Sequence, residues 1–170
     1  TTQGDVTDPD SLMKLCNGAD TVFHLAAKIS IVGDEGGSVE KINVEGTKNV
    51  IEACIRNKVK RLVHFSSIHA YRSHPVSDII DETRPLALDA EEFVYDRSKA
   101  RGQLEVLRAV DRGLDAVIIN PTAVLGPYDY KPSRMGEVLL DLYHNRYAAL
   151  VDGGYNWVDA RDVVACALAA

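Results

Sequence analysis

Three hydrophobic segments, of which the first is a continuous apolar run, restrict the fold of this sequence more than any other feature. They occupy residues 21–27, 60–66 and 116–120, and longer segments with a helical spacing of apolar residues separate them. A run that is apolar at consecutive positions indicates a strand buried on both faces of a parallel sheet. Strands that alternate with helices predict the α/β class, in which helices pack on a parallel sheet.

The segments between and after these runs predict helices and loops. Thr7, Asp8 and Pro9 offer a cap followed by proline, which is typical of a helix start. Helices are predicted at residues 9–17, 38–57, 91–112 and 133–145, and from about residue 159 onward. Residues 148–151 and 155–158 predict short strands, and residues 28–37 and 73–92 predict loops that can border a substrate.

Composition and charge exclude several classes of protein. A chain of 170 residues with 46% hydrophobic content can form one domain core, and no apolar run is long enough to span a membrane. The net charge of -6 is spread along the chain, which argues against a nucleic-acid partner. Cys16, Cys54 and Cys166 have no metal-binding or redox spacing, so we predict no metal site and interpret them as buried thiols in a reducing cytoplasm.

Tyr95 and Lys99 are the strongest candidates for chemistry. They lie four residues apart in a predicted helix and therefore leave the same face. Two unit charges about 4 Å apart interact by roughly 4 kcal/mol at an effective dielectric near 20, so the lysine is expected to lower the tyrosine pKa. A phenol that titrates near neutrality can act as a general acid or base. The spacing alone is common by chance, so the flanking sequence decides its meaning.

The flanking sequence gives the pair its context. The strand before it ends in Ser66-Ser67, and the strand after it ends in Asn120-Pro121-Thr122. This order of strand, hydroxyl, Tyr/Lys helix, strand and proline resembles the extended short-chain dehydrogenases/reductases, the NAD(P)-dependent epimerase/dehydratase and dihydroflavonol-reductase-like group. Further motifs carry the resemblance over essentially the whole chain: Gly4-Asp5-Val6, His24-Leu25-Ala26-Ala27 and Asn43-Val44-Glu45-Gly46-Thr47.

The resemblance implies a doubly wound parallel sheet of the Rossmann type that is incomplete in this chain. Such folds carry a glycine-rich turn after their first strand, and this sequence does not contain one. We therefore predict that the first two strands and much of the small substrate lobe are missing, and that the chain is part of a longer protein. Residues 1–125 are expected to form a partial dinucleotide-binding domain, 126–157 the start of the substrate-binding lobe and 158–170 a return helix.

The resemblance also assigns roles to residues. It makes Ser67, Tyr95 and Lys99 catalytic, and Tyr95 and Lys99 would also contact the cofactor. The other implied cofactor contacts follow strand ends and turns: Asp5, Val6, Leu25, Ala26, Ala27, Asn43, Pro121 and Val124. Asp5 can instead be a simple turn residue, and Asn43 can instead cap or bridge backbone groups. His24 fits a core histidine better than a catalytic one.

The expected activity is hydride transfer between a nicotinamide cofactor, NAD or NADP, and a carbonyl/alcohol carbon of a small molecule. A nucleotide-sugar epimerase or dehydratase is one alternative, and a non-catalytic NAD(P)-binding sensor on the same fold is another. A hydrolase triad would need a Gly-x-Ser-x-Gly turn, which the sequence lacks. The two long helices predict a homodimer of the kind common in the resembled family, in a cytoplasmic protein with no membrane partner.

Overall fold

The structure, a computed structural model, describes residues 1–30, 33–147 and 154–170. It divides into two compact units, Thr1–Asn120 and Pro121–Ala170, and each is described by itself. The functional assignment of residues 1–125, 126–157 and 158–170 to separate domains stays a prediction. The short strand predicted at residues 148–151 lies outside the described residues.

A parallel sheet forms the centre of the first unit. Its three strands follow the order β1-β2-β3 and span Thr21–His24, Arg61–Phe65 and Ala116–Ile119. His24 lies opposite His64, and both strand pairs are parallel. The carboxyl ends of the strands, which lead into Leu25, Ser66 and Asn120, therefore meet at one edge. The predicted parallel α/β arrangement is confirmed.

Helices connect these strands and cover the sheet. They are α1 (Pro9–Leu15), α2 (Ser38–Glu40), α3 (Gly46–Arg56) and α4 (Val94–Asp111), with a π-helical turn at Lys41–Glu45 between α2 and α3. The Asp8 side chain caps α1, as predicted, by accepting a hydrogen bond from the N–H of Asp10. α3 packs against α1, α4 and β1, while α4 also packs against β3. Within the described part of the chain, no helix combines the length and apolar character needed to cross a membrane.

The core lies between these helices and the sheet, but β1 is less buried than predicted. Leu62, at the centre of the core, is fully buried together with Val63 on β2. By contrast, β1 ends at His24, and Phe23 remains 42% exposed. Among the described residues β1 pairs only with β2, so it is an edge strand with one uncovered side. The expectation of burial on both faces was wrong for this strand.

The segment between β2 and α4 folds back on itself. Tyr71 and Leu86 form an antiparallel bridge, and the N–H of Arg72 donates to the carbonyl of Pro85 at 2.9 Å. The Arg84 guanidinium donates in turn to the Arg72 carbonyl at 3.1 Å. These contacts fix the loop that follows Ser67 and hold it against α4.

The second unit contains a small parallel sheet and two helices. Its elements are β4 (Ala123–Leu125), α5 (Arg134–Tyr143), β5 (Trp157–Asp159) and α6 (Ala160–Ala169). Ser133 and Asp159 cap the two helices through their side chains, which places both helix starts within a residue of the prediction. β4 was not predicted, because its three residues form a run too short to distinguish from a turn.

Two of the three cysteines are buried. Burial raises the pKa of the Cys54 thiol to about 12 and also raises the pKa of Cys16. Cys166 lies exposed on α6, so the prediction of a buried thiol was wrong there.

Candidate active site

Helix α4 places the Lys99 amine at the carboxyl edge of the sheet. Lys99 is buried, and its Nζ donates a 2.8 Å hydrogen bond to the carbonyl of Phe65, the last residue of β2. Tyr95 lies one helical turn earlier, in the first turn of α4. The helix therefore presents the phenol and the amine to the end of the same strand.

Ser67 follows β2 directly and meets Tyr95. Its Oγ accepts a 3.2 Å hydrogen bond from the N–H of His69 and caps the short helical turn Ile68–Ala70. The Ser67 side chain acts to lower the pKa of Tyr95. Ser67 and the Lys99 amine thus both lie at the carboxyl end of β2, and Tyr95 precedes Lys99 by one helical turn.

The electrostatic state of Tyr95 differs from the prediction. Burial raises the pKa of Tyr95, and the charge of Asp96 adds to that rise against the effect of Ser67. The sequence predicted a lowered pKa because of Lys99. That prediction was wrong for the ligand-free protein, in which the ammonium is engaged by the Phe65 carbonyl and burial of the phenol dominates. Tyr95 is therefore a protonated phenol at neutral pH.

Asn43 ties the loop after β1 to α4. Its Oδ1 accepts from the N–H of Lys28 at 2.7 Å, and its Nδ2 donates to the Lys28 carbonyl and to Ser98 Oγ, each at 2.9 Å. Ser98 lies between Tyr95 and Lys99 on α4. Because both amide atoms of Asn43 are engaged inside the protein, the geometry favours the bridging role over direct contact with a cofactor.

A tight helix contact positions this bridge. Asn43 lies in the π-helical turn, a feature that often occurs at functional sites. Gly102 of α4 packs against it so closely that an added Cβ would lie 2.7 Å from the Asn43 carbonyl oxygen. Sequence periodicity could not distinguish this π turn from the continuous helix predicted at residues 38–57.

Three basic side chains are buried together beneath the edge. The His24 and His64 rings lie 5.2 Å apart, and His24 Nε2 is 3.0 Å from Thr47 Oγ1. Burial lowers the pKa of His24 to about 4 and that of His64 well below its usual value, and the Lys99 charge contributes to both shifts. Both imidazoles are therefore neutral at neutral pH. The prediction of a satisfied core histidine is confirmed for His24.

A polar network that sequence reasoning missed supports Ser67 from the other side. Asn120 Nδ2 donates to the Ser67 carbonyl at 2.9 Å and to Gln103 Oε1 at 2.8 Å. Gln103 Nε2 donates in turn to the Tyr71 hydroxyl at 3.1 Å. The position of Asn120 directly after a predicted strand was the available signal, because strand ends gather at one edge.

The proposed cofactor contacts of the first unit lie near the same edge or at the chain start. Leu25, Ala26 and Ala27 follow β1 and are exposed. Asp5 is also exposed, and its Oδ1 accepts from the Thr7 N–H at 2.7 Å, which lowers the Asp5 pKa. This is the turn geometry named as the alternative role of Asp5.

Three further residues predicted to contact the cofactor have other surroundings. The Val6 carbonyl accepts from Asn49 Nδ2 at 3.0 Å, so this acceptor already has a partner. Pro121 and Val124 belong to the second unit, and Val124 lies on β4. Their role at the nicotinamide therefore stays a prediction.

The cavity beside Tyr95 is not the largest in the first unit. A larger one, about 440 Å³, lies at the amino ends of the strands near Lys60 and Asp115. The cavity of about 360 Å³ that borders Tyr95 is also lined by Ser30, which follows β1, and by His69, which follows β2, so it lies at the carboxyl edge of the sheet. We favour the smaller cavity because parallel α/β sheets bind ligands at their carboxyl edges.

Comparison with known proteins identifies the family. The whole chain, residues 1–170, matches the NAD dependent epimerase/dehydratase family. The chain belongs to this family. It is 35% identical over 167 residues to sterol demethylase protein B of Methylococcus capsulatus, covering 98% of this chain and 51% of that protein. It is 32% identical to cinnamoyl-CoA reductase 1 of Arabidopsis thaliana, covering 95% of this chain and 48% of that protein.

A solved structure supports the fold of this epimerase/dehydratase-family chain. DesIV of Streptomyces venezuelae, a dTDP-glucose 4,6-dehydratase crystallised with NAD and DAU bound, superposes with a TM-score of 0.80 at 27% identity. The match covers 96% of this chain and 52% of DesIV, and the chain spans about half the length of each of these relatives. The predicted family and Rossmann-type fold are confirmed.

The residues at the carboxyl edge fit a nicotinamide cofactor. The amine of Lys99 and the hydroxyls of Ser67 and Tyr95 are donors suited to carbonyl and ribose oxygens. Ala26 and Ala27 are small and exposed, so a ligand can approach the backbone there. The donor chemistry of this edge therefore agrees with the family.

Proposed function

We propose that this chain supplies the reacting part of an NAD(P)-dependent oxidoreductase of the extended short-chain dehydrogenase/reductase type. The reaction would interconvert a carbonyl and an alcohol. The observation that supports this most directly is that Tyr95 lines a cavity at the carboxyl edge, while Lys99, one helical turn later, bonds the last residue of β2. Family membership supports the same reaction class.

Each of the three residues has a defined task in this mechanism. A bound nicotinamide supplies or accepts the hydride. Ser67 hydrogen-bonds the substrate oxygen, and Tyr95 gives that oxygen its proton during reduction. Burial raises the pKa of the Tyr95 phenol, so at neutral pH this residue is able to act as the proton donor in reduction. The Lys99 ammonium would hold the nicotinamide ribose hydroxyls.

The cofactor would lie along the strand ends. Backbone groups of Leu25, Ala26 and Ala27 would face it, Asp5 and Val6 would contact the adenine, and Pro121 and Val124 the nicotinamide carboxamide. Separate fluorescence titrations with NADH and NADPH on the intact protein that carries this chain would determine which cofactor binds. Binding of neither one contradicts the proposal.

Substitution of Tyr95 by phenylalanine tests the mechanism. Tyr95→Phe should reduce turnover by roughly a hundredfold or more and leave cofactor binding nearly intact, because only the transferred proton is lost. Tyr130→Phe, at a tyrosine that is 87% exposed, is the matched control and should behave like the wild type. Near-normal turnover of Tyr95→Phe with a panel of carbonyl substrates refutes the assignment.

Two alternatives remain to be separated by the same assays. The likeness to a dTDP-glucose 4,6-dehydratase favours a nucleotide-sugar epimerase or dehydratase as the second candidate. Net conversion of a nucleotide sugar without net oxidation of added NADPH or NADH would support it. Tight cofactor binding without turnover of either substrate class would instead support a non-catalytic sensor. The predicted dihydroflavonol-reductase-like branch corresponds to the oxidoreductase proposed above and to neither alternative.

The assembly and location of the protein are further parts of this proposal. We expect a cytoplasmic homodimer that pairs through the long helices α3 and α4, where Leu107 and Val110 are partly exposed apolar residues. A monomeric mass of the intact protein by light scattering contradicts the dimer. Recovery in a membrane or secreted fraction contradicts the location.

A further inference from the structure

A second titratable group borders the cavity beside Tyr95. His69 lies two residues after Ser67, its side chain is 52% exposed, and its ring centroid is 5.7 Å from that of Tyr95 in an edge-to-face arrangement. The cavity is lined by both rings and by Asp96. None of the roles proposed above for Ser67, Tyr95 and Lys99 uses this imidazole.

Asp96 fixes one nitrogen of the ring. Its Oδ1 lies 3.1 Å from His69 Nδ1, and the Asp96 side chain is only 12% exposed. The carboxylate lies in the first turn of α4, where the helix dipole stabilises a negative charge. With Nδ1–H held by Asp96, Nε2 is the nitrogen left for a ligand. The hydrogen bond to Asp96 also raises the pKa of His69, which keeps the ring able to donate over more of the neutral range.

The rest of the cavity lining combines two large apolar side chains with two serines. Ile29 and Phe93 are 72% and 76% exposed, and Ser30 and Ser73 are the two hydroxyl residues. Large apolar side chains around a few polar groups are typical of a small-molecule pocket. This wall suits an aryl or alkyl body better than the hydroxyl-rich surface of a sugar.

We propose, on the basis of the function above, that His69 determines substrate specificity by donating or accepting a hydrogen bond through Nε2 to a second oxygen near the reacting carbonyl. The apolar part of the substrate lies against Ile29 and Phe93. The substrate class is therefore a carbonyl compound with an apolar body and a neighbouring oxygen, such as an aryl 3-oxo ester.

A pair of probe substrates tests this assignment on the intact protein. Ethyl benzoylacetate carries the second oxygen, and butyrophenone lacks it. His69→Asn keeps a polar atom near the Nδ1 position but has none at Nε2, whereas His69→Gln reaches the Nε2 position. His69→Asn should lower kcat/KM for ethyl benzoylacetate about tenfold, mainly through KM, and for butyrophenone by less than about twofold, since a tenfold loss is about 1.4 kcal/mol, the scale of one hydrogen bond.

The variants and probes together decide the outcome. His69→Gln should recover part of the loss, and His144→Asn, at an exposed histidine, is the matched control without effect. Equal losses on both probes, or no loss on either, overturn the assignment of His69.

A second readout separates this proposal from the proposed function. Ethyl benzoylacetate should shift the Nε2 resonance of His69 in histidine-labelled protein, assigned by its absence in His69→Asn, and butyrophenone should not. If neither probe is reduced, or Tyr95→Phe keeps its turnover, the proposed function fails while the resonance still reports the contact. A resonance that neither probe moves overturns the contact itself, whatever the activity.

Discussion

Replacing Lys99 by methionine should stabilise the ligand-free protein at neutral pH. Burial lowers the pKa of Lys99 from 10.5 to about 8, so the folded protein holds this proton less tightly than the unfolded chain. At about 1.4 kcal/mol for each pH unit, the difference corresponds to about 3 kcal/mol of unfolding free energy. Losing the hydrogen bond to the Phe65 carbonyl offsets about 1 kcal/mol of this. The expected net gain is about 2 kcal/mol.

The gain should disappear at alkaline pH. Below pH 8 Lys99 is charged in both the folded and the unfolded state, and the full cost of burying the charge is present. Between about pH 8 and 10.5 the unfolded chain keeps a proton that the folded protein has released, so wild-type stability rises with pH. Methionine binds no proton, and the advantage of Lys99→Met therefore shrinks across the same window.

Urea denaturation of the intact protein near pH 7 and near pH 10 measures both effects. Lys14→Met, at an exposed lysine of α1, is the matched control and should stay within about 0.5 kcal/mol of the wild type at each pH. The reasoning is refuted if Lys99→Met is less stable than the wild type near pH 7. It is also refuted if the stability gain of the variant is as large near pH 10 as near pH 7. The same variant should lose turnover, because the proposed contact of Lys99 with the nicotinamide ribose is gone.

Three further substitutions test the supports of the site. Gly102→Ala should lower the unfolding free energy by about 1–2 kcal/mol, because the clash with the Asn43 carbonyl outweighs the gain of about 1 kcal/mol in helix propensity. Urea denaturation measures this change, and an unchanged unfolding free energy contradicts the close packing. Asn120→Asp should cost roughly 2 kcal/mol, since it places a carboxylate oxygen against the Ser67 carbonyl, and wild-type stability would argue against that bond. Wild-type stability should fall by up to about 3 kcal/mol as the pH drops from 6.5 to 4, because the unfolded chain takes up the His24 proton first. In His24→Gln the unfolding free energy should fall less over the same pH range. A pH dependence equal to that of the wild type contradicts this.

The fold was predicted where local pattern and packing agree. The strand β2, the cap of α1 and the full extent of α4 follow from apolar runs, capping residues and glycine stops, each of which acts over a few residues. β1 was misjudged because its burial depends on what lies on its other side, which local pattern does not contain. The pairing of β4 with β5 joins residues that are more than thirty positions apart, as in Val124 with Val158, so no local signal could reveal it.

The site was predicted in its membership and less well in its electrostatics. Family order pointed to Ser67, Tyr95 and Lys99, and their catalytic roles stay predictions, while the structure places the Lys99 amine at the end of β2. A spacing of four residues gives a common helix face, but it cannot show where an amine finds its acceptor. Lys99 donates to a backbone carbonyl, and that acceptor is invisible in a side-chain pattern. The sign of the Tyr95 pKa shift consequently required the structure.

The supports of the site lead to a distinction that experiments can use. Asn43 bonds the Ser98 hydroxyl, Gly102 packs against the Asn43 carbonyl and Asn120 bonds the Ser67 carbonyl, so changing them should alter stability and turnover together. His69 is half exposed, and its partner Asp96 lies at a helix start, so changing His69 should alter substrate preference with little effect on stability. Lys99 lies between these classes because it is buried and reactive, and its replacement should raise stability while it removes turnover. A substitution that lowers stability therefore indicates a residue that positions the reacting groups. A substitution that raises stability indicates Lys99, whose burial serves the reaction and destabilises the fold.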